Sequence, residues 1–326
     1  MDKIRWGILS TGRIAGVFVE SLKVLPDADI LAVGSRSQAS ADAFGEQYGI
    51  PRRYGSYEAL VADPDVDVIY IGSPHSHHHE HMRLALEHDK HVLCEKAFTI
   101  NARQAEDVIT LARSKNLFLM EAMWTRFLPA IVRLRELLAD QVIGPVRYMQ
   151  AMLCVHREYD PEDRLYKLTL GGGALLDLGI YPIALTTMVM GLPDTVQSQM
   201  TFGPSGADEL TLMQFNYENG SGAQLACALR MPVSYDAIIA GEGGLIRVQH
   251  PAYRPHHLTL ERHGDTPQPM HLPFESRGYQ HEAQEVMDCI RAGRLESSVM
   301  PLDETLAIMR LMDGIRATHG LIYPGE

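Results

Sequence analysis

A lysine stands directly after an apolar, strand-like run: Glu95-Lys96-Ala97 follows His91–Cys94. Most lysines are solvated surface charges. One at the carboxyl end of a buried strand, beside a glutamate and apolar neighbours, sits where open α/β sheets hold ligands and where an ammonium can be tuned. Ser73-Pro74-His75 ends the preceding strand-like run in the same way. Further along, Gly171-Gly172-Gly173 leads into Ala174-Leu175-Leu176-Asp177-Leu178-Gly179-Ile180-Tyr181. Asp177 and Tyr181 are four residues apart, so on one helix they share a face and present a carboxylate and a phenol to the same ligand. A plainer reading competes, because the helix dipole favours an Asp in a first turn and a Tyr on an amphipathic helix is commonly core.

The elements that must position these groups are legible around them. Ile4–Leu9, Ile30–Val33, Val66–Ile71 and His91–Cys94 are short β-rich runs alternating with helical stretches at Ile14–Val24, Ala39–Tyr48, His78–Glu87 and Ala102–Ser114. That alternation predicts a doubly wound parallel sheet of Rossmann type. Where its first strand turns into its first helix lies Ser10-Thr11-Gly12-Arg13-Ile14-Ala15. Gly12 lets the backbone approach a pyrophosphate, Ala15 permits close helix–strand packing, and the helix N-terminus favours negative charge; a serine at position 10 breaks the G-x-G-x-x-G/A fingerprint. After the second strand, Gly34-Ser35-Arg36-Ser37 holds no carboxylate for a ribose 2′-hydroxyl, while Arg36 and the flanking hydroxyls suit a 2′-phosphate. The pattern therefore favours NADP(H) over NAD(H), against the alternative of a solvated loop arginine.

A fifth strand-like run at Leu117–Glu121 closes this half, placing a boundary near Ala122: residues 1–122 form the dinucleotide-binding domain and 123–326 a substrate-binding and oligomerisation domain. A helix is expected at Ala130–Leu138. Strand-like runs follow at Ser198–Phe202, Leu210–Phe215, Gly222–Leu229, Ala237–Ala240, Gly244–Val248 and His257–Glu261, then helices at Gln280–Arg291 and Leu302–Thr318 that either cover the sheet of these strands or return to the first domain. Consecutive strands of this kind predict an α+β domain with a large, mostly antiparallel open sheet, whose uncovered face suits a homodimer. Trp124, Arg126 and Phe127 at the junction read equally as a substrate wall or as interdomain packing.

Composition sets limits. A formal net charge of −12 argues against a nucleic-acid binder. The four cysteines are widely spaced with no C-x-x-C pair, as in reduced cytoplasmic proteins, and the start lacks the pattern of a secretory signal. No stretch reads as a membrane span. His75, His77, His78, His79 and His81 invite a metal reading, but His79-Glu80 begins an H-E-x-x-H pattern that ends in Arg83, so no metal is expected.

Taken together, the glycine loop, Ser73-Pro74 with His78 downstream, Asp89-Lys90-His91-Val92, Glu95-Lys96 and Gly171–Tyr181 resemble the Gfo/Idh/MocA oxidoreductases over nearly the whole chain. Met120–Phe127 and Leu176–Tyr181 resemble the branch containing dimeric dihydrodiol dehydrogenase and NADP-dependent D-xylose dehydrogenase. The resemblance implies hydride transfer between a nicotinamide and a carbinol or carbonyl of a small sugar, polyol or trans-dihydrodiol. It places Lys96 beside the nicotinamide, Asp177 as substrate-binding carboxylate and Tyr181 as acid/base; Ser10, Thr11, Gly12, Arg13, Ile14, Ser35, Arg36, Ser73, Pro74, His75, His78 and Glu95 fall in the cofactor site. A phenol with an ordinary pKa near ~10 needs an adjacent ammonium to act as base at neutral pH; alternatively Lys96 moves the proton itself. Ala97 replaces the motif's usual proline. A non-catalytic NADP-binding regulator and a redox-assisted glycosidase or lyase are the competing expectations.

Overall fold

The computed structural model describes residues 3–233 and 236–326. They divide into two compact units, one holding the chain through Trp124 together with Glu275–Met309, the other Thr125–Phe274 together with Arg310–Glu326. The sequence divides at about residue 122 with the last two helices open to either half; Glu275–Met309, which holds the first of them, groups with the first unit.

The first unit runs β1 (Ile4–Leu9), α1 (Arg13–Leu22), β2 (Ala28–Gly34), α2 (Gln38–Tyr48), β3 (Arg52–Tyr54), α3 (Tyr57–Val61), β4 (Val68–Ile71), α4 (His78–Glu87), β5 (His91–Glu95), α5 (Ala102–Lys115) and β6 (Leu119–Ala122). Its sheet has the order β3-β2-β1-β4-β5-β6, and every neighbouring pair is parallel. A parallel sheet covered on both faces needs continuous apolar strands, and β4 is buried at every residue. Local chemistry sets the helix bounds. Asn101 caps α5 by accepting the Gln104 N–H at 2.9 Å, and its buried stripe Ala105, Val108, Ile109, Ala112 has the spacing of one helical face. Trp6, Phe18 and Tyr70 fill the core, with the Phe18 and Tyr70 rings stacked 3.7 Å apart. The strand order reverses between β1 and β4, which makes their carboxyl ends the topological switch point where open α/β sheets hold ligands.

The second unit holds α6 (Pro129–Ala139), β7 (Val146–His156), α7 (Ile180–Met190), β8 (Thr195–Phe202), β9 (Asp208–Asn216), β10 (Gly222–Ala228), β11 (Arg230–Val233), β12 (Ala237–Gly241), β13 (Gly244–Val248), β14 (His257–Arg262) and β15 (Gln268–His271). Eight strands run in the order β15-β14-β13-β12-β7-β10-β9-β8, with β11 beside β7. All pairs are antiparallel except β7 with β10. One face carries cross-strand rows such as Ala151–Leu225–Met213 and Leu153–Cys227–Thr211, all buried, against which α7 packs. On the opposite face Gln150, Gln224, Gln214 and Gln197 form one row, with Met152, Ala226, Leu212 and Gln199 beside it. Among the described residues one helical run, Leu168–Met190, is long and apolar enough to cross a membrane; 78% of that window is buried inside the chain.

Two helices end the chain, α8 (Gln280–Arg291) and α9 (Leu302–His319). In the first unit α8 packs against α1. The sequence reading missed β7, the strand in the middle of the larger sheet, and the shorter β3, α3, β11 and β15.

Candidate active site

The β1–α1 turn has the shape of a phosphate cradle. Ser10 adopts φ +104°, a left-handed conformation that favours glycine, so the serine occupies the fingerprint position with a glycine-like backbone. Its hydroxyl accepts the Gly12 N–H at 3.2 Å. Gly12 is exposed, and a Cβ there would meet nothing closer than the Ser10 Oγ at 3.5 Å, so packing of the chain itself does not require glycine. No side chain caps α1. An open helix N-terminus with an unfilled approach over a glycine fits a pyrophosphate held by Thr11, Gly12, Arg13 and Ile14.

At the end of β2, Ser35 is buried with its hydroxyl 3.3 Å from that of Thr11, and its N–H donates to the Tyr54 carbonyl at 3.0 Å. Arg36, the next residue, is exposed and close enough to Tyr57 and His81 to act on both electrostatically. Burial first, then His77 and His78, push His81 down to about 4, with Arg36 adding to the effect; the neutral ring shares a 2.9 Å hydrogen bond with the Ser73 hydroxyl.

The loops after β4 and β5 are fastened to each other by histidines. His75 Nε2 lies 3.2 Å from the Lys96 carbonyl oxygen. His78 has no exposed surface; Nδ1 is 2.9 Å from the Ala97 carbonyl and Nε2 2.8 Å from that of Ser73. Burial pushes its pKa down to about 4, so at neutral pH the ring donates to one of the two. His78, expected in the cofactor site, joins the loop after β4 to the loop after β5. His79 pairs with Asp107 and His77 stacks on His81. Among the described residues no group of three or more His, Cys, Asp or Glu could hold a metal ion. Pro74 and Lys96 are half-buried, and the Lys96–Ala97 peptide is cis.

Glu95 has a buried acidic neighbour, Glu282, that the sequence reading did not name. Glu95 accepts the Tyr70 O–H at 2.6 Å. Glu282, in the first turn of α8, is wholly buried and both its carboxyl oxygens lack a hydrogen-bond partner. Burial, reinforced by the charge of Glu95, pushes Glu282 well above the usual carboxylate range. An unfolded glutamate ionises near ~4.3, so the stability tied to this proton is complete below that pH and lost as the pH rises toward the folded pKa. Glu282→Gln is therefore expected to raise Tm by an amount small at pH 4 and growing through neutrality; an offset independent of pH in thermal melts would contradict this.

In the second unit the glycine triplet is demanded by geometry. Gly171 and Gly173 have φ of +75° and +132°, and a Cβ on Gly172 would come within 2.6 Å of the Arg164 carbonyl oxygen. The chain then enters a π-helical turn, Leu175–Gly179, that runs into α7. Pro182 explains the wide turn, since it lacks an N–H and its ring excludes the carbonyl of residue 178; such turns recur at functional sites. Asp177 is buried and accepts from the Arg164 guanidinium at 3.0 Å. Tyr181 is half-buried, its ring 5.5 Å from that of Tyr253. Arg126, 3% exposed, donates to the Ala184 carbonyl at 3.0 Å and so holds α7; Phe127 is buried nearby in sequence, and Trp124 stacks on Tyr279 at 4.4 Å within the first unit. The candidate residues thus divide between the units: the dinucleotide loops, Glu95, Lys96 and Trp124 in the first; Arg126, Phe127, Asp177 and Tyr181 in the second.

A Rossmann-ordered sheet with an open phosphate cradle and a lysine after β5 defines an NAD(P)-binding oxidoreductase. Residues 4–123 match the model of an oxidoreductase family with an NAD-binding Rossmann fold, and 131–247 match the GFO/IDH/MocA C-terminal domain; the chain belongs to this family. It is 36% identical to the trans-1,2-dihydrobenzene-1,2-diol dehydrogenase of Danio rerio, covering 98% of each chain. To the enzyme of that name from Homo sapiens it is 34% identical over 99% of each. Among solved structures, a 3-ketoreductase from Actinomadura kijaniata in complex with NADP and TDP-benzene superposes with a TM-score of 0.86 at 25% identity, covering 97% of this chain and 98% of that one.

Proposed function

We propose that the protein is an NADP(H)-dependent dehydrogenase or reductase acting on a hydroxyl or carbonyl of a small sugar, polyol or trans-dihydrodiol. One observation carries the cofactor choice: exposed Arg36 stands after β2, beside Ser35 and Thr11, in place of the carboxylate that would bind a ribose 2′-hydroxyl. The substrate class is supported by the dihydrodiol dehydrogenase relatives and by Asp177 and Tyr181, four residues apart where the π-helical turn runs into α7.

A bound nicotinamide supplies the hydride acceptor or donor. Tyr181 takes the hydroxyl proton in oxidation and returns it in reduction, Lys96 being the alternative carrier of that proton, and Asp177 accepts a hydrogen bond from a second substrate hydroxyl. The four free, buried cysteines support a reducing, cytoplasmic setting. The sheet face bearing the glutamine row, with Met152 and Leu212 beside it and Leu212 40% exposed, suits a second copy of the chain and hence a homodimer.

Arg36→Ala is expected to raise KM for NADP about 10- to 100-fold, as loss of a charge-assisted contact would, while leaving KM for NAD within about twofold. Steady-state kinetics with both cofactors decide this; an unchanged ratio of the two would overturn the assignment.

A further inference from the structure

The π-helical turn that bears Asp177, and runs into α7 where Tyr181 stands, follows Gly172-Gly173-Ala174, and no local side chain caps it. The first N–H groups of a helix need an acceptor. Here the acceptor comes from 33 residues downstream: Asp208, the first residue of β9, takes the Leu175 N–H on Oδ2 at 2.8 Å. The same oxygen accepts the Thr211 hydroxyl at 2.8 Å. Asp208 has no exposed surface, and its other oxygen, without a hydrogen-bond partner, fills the space a Cβ on Gly173 would take. The Tyr323 hydroxyl, from the C-terminal tail, lies against the same α-carbon, is likewise unpartnered and is also buried.

We infer that Asp208 is a positioning residue for the reaction: its carboxylate caps the turn from behind and thereby fixes where Asp177 and Tyr181 stand. The charge state matters because both bonds end on Oδ2: with the carboxylate ionised they are charge-assisted, and with a proton on the unpartnered Oδ1 they fall to the strength of neutral hydrogen bonds. Burial raises Asp208 to about 6, so the cap is charged above that pH and neutral below it. The groups around it are Thr211 on its own strand, Cys227 from β10, Tyr323 from the tail with the Arg316–Glu326 pair behind it, and Asp177 with Arg164 on the turn. With Asp208 neutral the turn loosens, and substrate KM and kcat suffer while cofactor affinity does not.

This inference rests on the proposed dehydrogenase reading for its kinetic consequence, but hydrogen exchange tests it without turnover. In full-length protein, peptides covering 174–181, corrected for intrinsic exchange, are expected to lose about tenfold protection as the pH falls from 7.5 to 5, as expected for weakening one charge-assisted hydrogen bond. Asp208→Asn is expected to show the low protection at both pH values and a kcat/KM profile without an inflection near 6, its KM for NADP unchanged. Wild-type protection and an unaltered pH profile in that variant would overturn the inference. Should Asp208→Asn fail to fold, Thr211→Val removes one bond to the anion and is expected to move the exchange inflection to higher pH; an unmoved inflection overturns it equally. Protection that follows Asp208 in a protein inactive toward sugars and diols would sink the dehydrogenase reading and leave the cap standing.

Discussion

Tyr181→Phe is expected to lower kcat by about a hundred- to ten-thousandfold, the usual worth of a positioned acid/base, with KM for the cofactor unchanged. Phenylalanine keeps the ring that packs 5.5 Å from Tyr253 and removes only the hydroxyl, so folding is spared and the loss reports proton transfer. Cofactor affinity is untouched because the phosphate cradle and Arg36 belong to the first unit, whereas Tyr181 belongs to the second. Steady-state rates with saturating cofactor measure it. If kcat stays within twofold of wild type, the phenol does not move the proton, and Lys96 takes that role.

Gly173→Ala is expected to give the largest loss of stability. Its φ of +132° lies outside what an L-residue adopts without strain, a cost of about 1–3 kcal/mol. Its Cβ would also displace the Asp208 carboxylate, which holds the Leu175 N–H. Gly220→Ala separates the two effects, because Gly220 has φ +81° with nothing within 4 Å of its Cβ position. Thermal melts are expected to show Gly173→Ala well below Gly220→Ala in Tm. Equal shifts would mean that the crowding around Asp208 costs nothing.

The Rossmann half was readable because its strands are buried on both faces and its helices on one, so apolar runs alternate with amphipathic ones; β1 and α4 fall on the residues the pattern marks. β7 escaped because only one of its faces is buried. Its Met149, Ala151 and Leu153 alternate with Tyr148, Gln150 and Met152, and the polar members take their meaning from a glutamine row assembled from three other strands. Ser10 looked like damage to the glycine fingerprint, yet the turn holds it at positive φ, which residue type does not announce. Glu282 resembled an ordinary first-turn glutamate favoured by the helix dipole; only the return of α8 to the first unit buries it near Glu95. Asp208 was invisible for the same reason, since a cap supplied from 33 residues away leaves no local signature. Candidate residues carried by local motifs could be named from sequence, and those brought in by tertiary structure could not.

The activity proposed for the protein is NADP-linked hydride transfer on a hydroxyl of a sugar or diol. Its most direct test mixes the purified protein with NADP or NAD and a panel of small aldoses, polyols and trans-dihydrodiols, following absorbance of the reduced nicotinamide. Net NADPH formation with at least one of them, at a kcat/KM at least about tenfold above that with NAD, is the expected result, consistent with one charge-assisted contact from Arg36. Faster turnover with NAD, or no net reduced nicotinamide with any of the panel, would contradict the account.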